Sequence, residues 1–308
     1  MKPATECLAE KLRSAGWGNR LREQAPLAPY TTYNIGGAAD LLLEATDTAD
    51  LQALWRLAQE YGVPCWVLGR GSNVLVADRG VRGLVVVNRS CGWDLSPSGM
   101  LRVASGTLLS QVARQTGAAG YAGLEWGAGI PGTVGGAVVG NAGAHGGYVG
   151  DTLVSATVLD HGVVRTFTGP DLGMGYRTSR FKETRAGNGR PVILEATFAL
   201  RPGDAEELRR QMAEWVNWRL EHHPKEPSAG SVFKRTAQYP AGFLIDQAGL
   251  KGLRRGDAQV SLQHANFVVN LGQARASDVR GLIEQVQDTV EKQFGTRLEL
   301  EIEMIGDW

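Results

Sequence analysis

The chain has 308 residues, enough for two or three domains around a large core. Its hydrophobic content of 43% and charged content of 21% are those of an ordinary globular protein. Basic and acidic residues balance at 32 each and the densest positive cluster is only Lys251 to Arg255, which excludes a basic nucleic-acid footprint. No apolar segment approaches the ~20 residues of a membrane span. The opening MKPATECLAEKLRSAG has no apolar signal core. Three cysteines (Cys7, Cys65, Cys91) with no CxxC argue for a reducing compartment and against a disulfide framework. The five histidines form no HExxH, so no metal site is expected. The expectation is a cytoplasmic protein, a monomer with no nucleic-acid or membrane partner.

In chain order, residues 4–15 read as a helix, followed by a Pro-rich connection through Pro26 and Pro29. Ala39 to Ala45 reads as a strand. Thr48 to Tyr61 has helical spacing in Leu51, Leu54, Trp55 and Leu57–Ala58, with Thr46 or Thr48 as N-cap. The strand Pro64 to Leu68 runs into Gly69-Arg70-Gly71-Ser72-Asn73 and then into the strand Val74 to Val76. This GxGSN loop is not the dinucleotide fingerprint GxGxxG, because a strand follows where that motif needs a helix. By itself it fits a tight hairpin as well as a ligand loop. Gly83–Val87 and Leu101–Ala104 are expected strands, and Thr107–Gly117 a helix closed by Gly117.

From Gly123 to Asp151 the chain reads GLEWGAGIPGTVGGAVVGNAGAHGGYVGD, with eleven of the 41 glycines. Glycine is the costliest residue to order, so the enrichment calls for tight turns or close approach to a ligand. Backbone amides free of side chains suit an anion such as a phosphate. Trp126, Ile130, Val134 and Val138 make the stretch too apolar for a flexible linker. Beyond it, Thr152–Leu159 and Val163–Phe167 form a hairpin across Asp160-His161-Gly162. Val192–Leu200 is a strand, and Pro202-Gly203 marks a boundary near residue 200. The last third is expected to hold helices at 204–219, 241–248 and 277–292, and a strand at Asn266–Asn270. From Arg297 to Ile305, Leu298, Leu300, Ile302 and Met304 alternate with Glu299, Glu301 and Glu303, the pattern of a half-buried strand.

In this order, YTTYNIGGAAD (30–40), VLGRGSNVLVAD (67–78), the glycine stretch, YRTSRFK (176–182), PSAGSVFKR (227–235), AGFLIDQAGLKG (241–252), HANFVVN (264–270) and LELEIEMIG (298–306) resemble the UDP-N-acetylenolpyruvoylglucosamine reductases of bacterial cell-wall synthesis. The matches span nearly the whole chain. The short interval between YRTSRFK and PSAGSVFK is similar to the compact subclass that lacks an extra substrate-covering segment. The resemblance implies an α+β protein with an FAD-binding fold of the vanillyl-alcohol-oxidase type in two subdomains, at 1–80 and 81–200. A C-terminal α+β substrate domain would follow at 201–308. FAD would be reduced by NADPH, and the reduced flavin would pass hydride to the enolpyruvyl sugar nucleotide to form UDP-N-acetylmuramate for peptidoglycan.

The resemblance also implies roles for single residues. Tyr33, Gly69, Arg70, Gly71, Ser72, Asn73, Gly132, Thr133, Gly135, Gly136, Asn141 and Gly143 would hold FAD, with Gly132, Gly135 and Gly136 leaving room for its ring. Tyr176, Lys182 and Lys234 would contact substrate. Arg177 would face the substrate carboxylate, which its planar fork suits. Ser231 would give a proton to carbon, with Ser228 as the rival in the same loop. Glu301 would assist the enol intermediate. The sequence departs from the usual family pattern there, with Glu299-Leu300-Glu301-Ile302, so Glu299 stays open as the third residue. A second departure puts Arg235 where the family usually has Asn. Two alternatives remain on the residues alone, an oxidase of the same fold and a flavin-free sugar-nucleotide-binding protein. No motif reads NADPH over NADH.

Overall fold

A computed structural model describes residues 2–182 and 190–308. The chain divides into two compact units, neither of them one continuous segment. The first comprises residues 1–23, 40–69 and 83–218, the second residues 24–39, 70–82 and 219–308. The two units part inside the helix Ala205–His222, between Trp218 and Arg219.

The first unit has two apolar cores. One lies at a four-stranded sheet in the order Arg22–Pro26, Ala38–Ala45, Val81–Asn88, Cys65–Leu68. The last two strands are parallel. The helix Thr48–Glu60 buries Leu51, Leu54, Trp55 and Ala58, a stripe at the i, i+3, i+4, i+7 spacing the sequence shows. Its N-cap is Asp47, whose carboxylate accepts from the Asp50 amide at 2.7 Å, rather than either expected threonine. The other core lies at a five-stranded antiparallel sheet in the order Val163–Thr168, Leu153–Asp160, Val192–Ala199, Met100–Ala104, Trp93–Leu95. The expected hairpin is there: Asp160 pairs with Val163. His161 (φ 45°) and Gly162 (φ 82°) take the two left-handed positions that such a two-residue turn demands. The helix Leu109–Ala118 packs on this core, with Gly117 inside it and not at its cap.

The second unit is built around the amphipathic helix Ala276–Phe294, which buries Val279, Leu282, Ile283, Val286 and Val290 and ends at Gly295 (φ 66°). Asp78 accepts from the Ala276 and Ser277 amides at 2.7 and 3.0 Å, capping this helix from 198 positions away in sequence. A three-stranded sheet, Arg254–Arg255, Ala258–Val260 and Val268–Asn270, and the helix Ala241–Gln247 complete the unit.

The expected single strand over 297–305 is not formed. Residues 299–301 bond to 232–234, through Lys234 N–H to Glu299 O and Glu301 N–H to Val232 O, both 2.8 Å. The segment then bends, and Glu303–Ile305 pairs in parallel with Val74–Val76. The three glutamates therefore do not share one solvated face: Glu299 is exposed, while Glu301 and Glu303 are half-buried.

Candidate active site

In the first unit the two glycine regions meet. Gly69 lies so close to Thr133 that a Cβ on it would sit 2.5 Å from Thr133 Oγ1. Only glycine allows that approach. Thr133 is buried and caps the helix Val134–Val139, its hydroxyl accepting from the Gly136 amide at 3.5 Å. Gly136 is exposed, and a Cβ there would meet nothing nearer than Thr133 Oγ1 at 3.7 Å. With half-buried Gly132 beside it (φ 132°), it leaves bare backbone beside open space, where a phosphate-bearing cofactor fits. Two other expected glycines are accounted for by the protein itself. Gly135 abuts Ser105, whose carbonyl accepts from the Gly135 amide at 2.8 Å. Gly143 abuts the Tyr148 ring across a small antiparallel pair.

Asn141, expected at the cofactor, is buried and spends its amide group on the chain. It donates to Gly175 O at 2.8 Å and accepts from the Gly150 amide at 2.8 Å. It thereby anchors the turn that carries Arg177. That turn, Gly175-Tyr176-Arg177-Thr178, is closed by Gly175 N–H to Thr178 O at 3.0 Å and the reciprocal bond at 3.2 Å. Buried Ser179 pins its far end by donating to Val139 O at 2.7 Å. Arg177 sits at φ 55°, a left-handed backbone that non-glycine residues take only at a cost. It is half-buried, its guanidinium 5.7 Å from the centre of the Tyr176 ring, and Lys182 Nζ donates to its carbonyl at 3.3 Å. Tyr176 is exposed. The neighbouring Arg180 is different: it lies over the Phe167 ring at 4.4 Å and donates to Asp171 O, an ordinary packing role.

In the second unit, Ser231 follows Gly230 (φ 76°) and is half-buried. Its neighbours Val232 and Phe233 are held on both sides. On one side are residues 299–301. On the other is Asn266, which a sequence reading does not single out. The Asn266 side chain accepts from Phe233 N–H at 3.0 Å and donates to Phe233 O at 2.8 Å, and its backbone carbonyl accepts from Val232 N–H at 2.8 Å. The signal for it is a polar residue inside the apolar run of HANFVVN. The rival Ser228 is committed to the loop: its hydroxyl accepts from Gly230 N–H and its carbonyl from Thr32 Oγ1 at 2.7 Å. Glu301 thus lies one hydrogen bond from the residue after Ser231, while exposed Glu299 pairs with Lys234 Nζ at 3.3 Å.

The GRGSN loop reaches the same place. Asn73 Nδ2 donates to Glu301 O at 3.2 Å, and Asn73 O accepts from Glu303 N–H at 2.9 Å. Gly71 is buried against Tyr30 and Thr31, Ser72 is half-buried and Arg70 is exposed. Tyr33, expected at the cofactor, lies in the apolar core of the second unit. It is fully buried, with its hydroxyl donating to Val268 O at 2.8 Å and its ionisation pushed far up by burial.

Two family models match. One, described as an FAD binding domain, covers residues 39–166; the other, the C-terminal domain of UDP-N-acetylenolpyruvoylglucosamine reductase, covers residues 222–305. A relative from Symbiobacterium thermophilum, UDP-N-acetylenolpyruvoylglucosamine reductase 2, is 43% identical over 99% of this chain and 98% of its own length. A relative of that activity from Trichormus variabilis is 42% identical over 95% of this chain and 88% of its own. The crystal structure of the Thermus caldophilus reductase superposes with a TM-score of 0.78 at 39% identity, covering 92% of this chain and 99% of that one.

Proposed function

Because this chain belongs to the UDP-N-acetylenolpyruvoylglucosamine reductase family, we propose that it reduces the enolpyruvyl ether of UDP-N-acetylglucosamine to UDP-N-acetylmuramate, with NADPH as reductant, for peptidoglycan synthesis. It is an FAD-dependent oxidoreductase of α+β fold with a C-terminal domain typical of the family. Bound FAD, once reduced, supplies the hydride. The observation that carries the reading is the joining of Ser231 and Glu301, 70 positions apart, through the Glu301 N–H to Val232 O bond.

The residues take the following parts. Gly69, Gly71, Gly132, Thr133 and Gly136 present backbone to the cofactor, with Arg70 and Ser72 beside them. Addition of hydride to the terminal alkene carbon drives negative charge onto the adjoining carboxylate. Arg177 binds that carboxylate, and its rigid turn holds the guanidinium in place before the charge develops. The Ser231 hydroxyl gives its proton to the carbon next to the carboxylate and recovers one from solvent. Glu301 steadies the enol form, and Tyr176, Lys182 and Lys234 hold the rest of the substrate. For Lys234 this requires exchange of Glu299 for a substrate phosphate. The enzyme works as a monomer in the cytoplasm. Among the described residues, no helix is long and apolar enough to cross a membrane.

The test is spectroscopic. Purified protein is yellow, NADPH bleaches it without oxygen, and the enolpyruvyl sugar nucleotide restores the colour. Colourless protein that does not take up FAD refutes the reading; colour that only oxygen restores points to an oxidase. Ser231→Ala leaves reduction by NADPH intact and slows reoxidation by substrate by about 10²–10⁴-fold, the range for a positioned acid.

A further inference from the structure

We infer that Asn73 is a positioning residue for Glu301, so that the loop expected to serve the cofactor also sets the geometry of proton delivery. The inference rests on the reductase reading above and deepens it.

The argument starts from where the Asn73 side chain goes. In a loop of the form GRGSN, the polar residues are expected to turn toward the ligand. Here Asn73 directs its amide nitrogen to Glu301 O, 228 positions on in the chain. Its own carbonyl accepts from Glu303 N–H. Asn73 thus grips residues 301 and 303 on either side of the bend, immediately before the parallel pairing Val74↔Glu303 begins. The bond to residue 232 uses the 301 amide and the Asn73 side chain takes the 301 carbonyl, two residues before the ladder to residues 74–76 begins. Glu301 is therefore held by its amide to the Ser231 segment and by its carbonyl to the GRGSN loop.

That places one continuous set of hydrogen bonds from the Asn73 side chain through the Glu301 peptide groups to Val232, next to Ser231. Two bonds on the Glu301 peptide groups fix its backbone at the bend, and with it the point from which the half-buried side chain projects. Asn suits the task because its amide can donate sideways from a loop while its backbone enters a strand. Asp would present an oxygen to the Glu301 carbonyl and repel it.

The experiment uses full-length holoenzyme reduced anaerobically with NADPH and mixed with UDP-N-acetylglucosamine enolpyruvate, with both half-reactions followed by flavin absorbance. Asn73→Asp slows reoxidation by substrate about tenfold, equal to about 1.4 kcal/mol. It slows reduction by NADPH several-fold less than it slows reoxidation, a split that a general loosening of the fold or of the cofactor would not produce. In a Glu301→Gln background the same substitution changes reoxidation by less than about twofold, because its effect passes through Glu301. Equal slowing of both half-reactions, additivity with Glu301→Gln, or unchanged reoxidation each overturns the inference. Asn73→Ser, smaller and uncharged, decides the matter if the Asp variant does not fold. Wild-type enzyme that substrate fails to reoxidise refutes the reductase reading itself and this inference with it; a failure confined to the variants leaves the reading standing.

Discussion

Arg177 offers a test in which stability and activity move in opposite directions. Its φ of 55° is fixed by the turn Gly175–Thr178, whose two closing bonds are 3.0 and 3.2 Å, and by the Asn141 bond to Gly175. A left-handed backbone costs a non-glycine residue about 1–2 kcal/mol. Glycine escapes that cost but loses about 0.5–1 kcal/mol more chain entropy on ordering. At an ordinary site Ala→Gly therefore destabilises. Here the balance reverses, and Arg177→Gly is more stable than Arg177→Ala by about 0.5–1 kcal/mol. For a unit of under 200 residues this is a difference of about 1–4 °C in Tm. Both variants lose the guanidinium, so reoxidation of the reduced enzyme by substrate falls by about 10²–10³-fold in each, the cost of deleting one charge-stabilising group. Thermal unfolding of the two holoenzymes at equal concentration, with stopped-flow absorbance, reads both effects. An Ala variant as stable as the Gly variant or more so would refute the claim of backbone strain, and near-normal reoxidation would remove Arg177 from the chemistry.

Asn266→Ala strands the buried N–H and C=O of Phe233, at about 1–3 kcal/mol for each unsatisfied group; denaturant melts should show a loss of at least 2 kcal/mol, about twice that of Asn266→Asp, which keeps the acceptor. Gly69→Ala drives a methyl against Thr133 Oγ1 and costs both stability and flavin retention, measured as FAD released on dialysis; Thr133→Ala restores part of each, and no restoration would mean that the contact is not the cause. The Asp78 carboxyl titrates below the usual range. Burial works to raise it, but hydrogen bonds from Ser277 and Ala276 and the charge of Arg275 outweigh that. A depressed folded pKa gives stability that is present above the unfolded value of about 3.9 and is lost as pH falls through the folded one. Asp78→Ala should therefore lower Tm at neutral pH, with the gap to wild type closing below about pH 4; a gap independent of pH contradicts the charged cap.

Local features of the fold were legible because they are local. The Asp160–Val163 hairpin follows from two turn residues that tolerate left-handed backbone, and the helix Ala276–Phe294 from its apolar stripe. Arg22–Pro26 escaped notice because an edge strand ending in proline needs no alternation. The segment 298–305 misled for the opposite reason. Its alternation is real, but period two says nothing about partners, and the chain changes partner at Glu301 from residues 232–234 to 74–76. Tyr33 shows the same limit: nothing in its polar, glycine-flanked segment announces that its hydroxyl donates to Val268 O, 235 positions away. The organising roles of Asn73, Asn141 and Asn266 were not legible because each acts on backbone that is remote in sequence.

The route of the chain has a consequence for how the protein is made. The second unit needs residues 24–39 and 70–82, yet its helix cap joins Asp78 to residues 276–277 and its parallel strand pair joins residues 74–76 to 303–305. During synthesis these early segments wait for residues 268–305, which supply Val268 to Tyr33, the helix that Asp78 caps and the strand that pairs with residues 74–76. Contacts of such long sequence separation close slowly. The ribosome must therefore release almost the whole polypeptide before the second unit can lock. A cut in either early segment, or a chain stalled short of residue 303, removes parts that the remainder cannot replace.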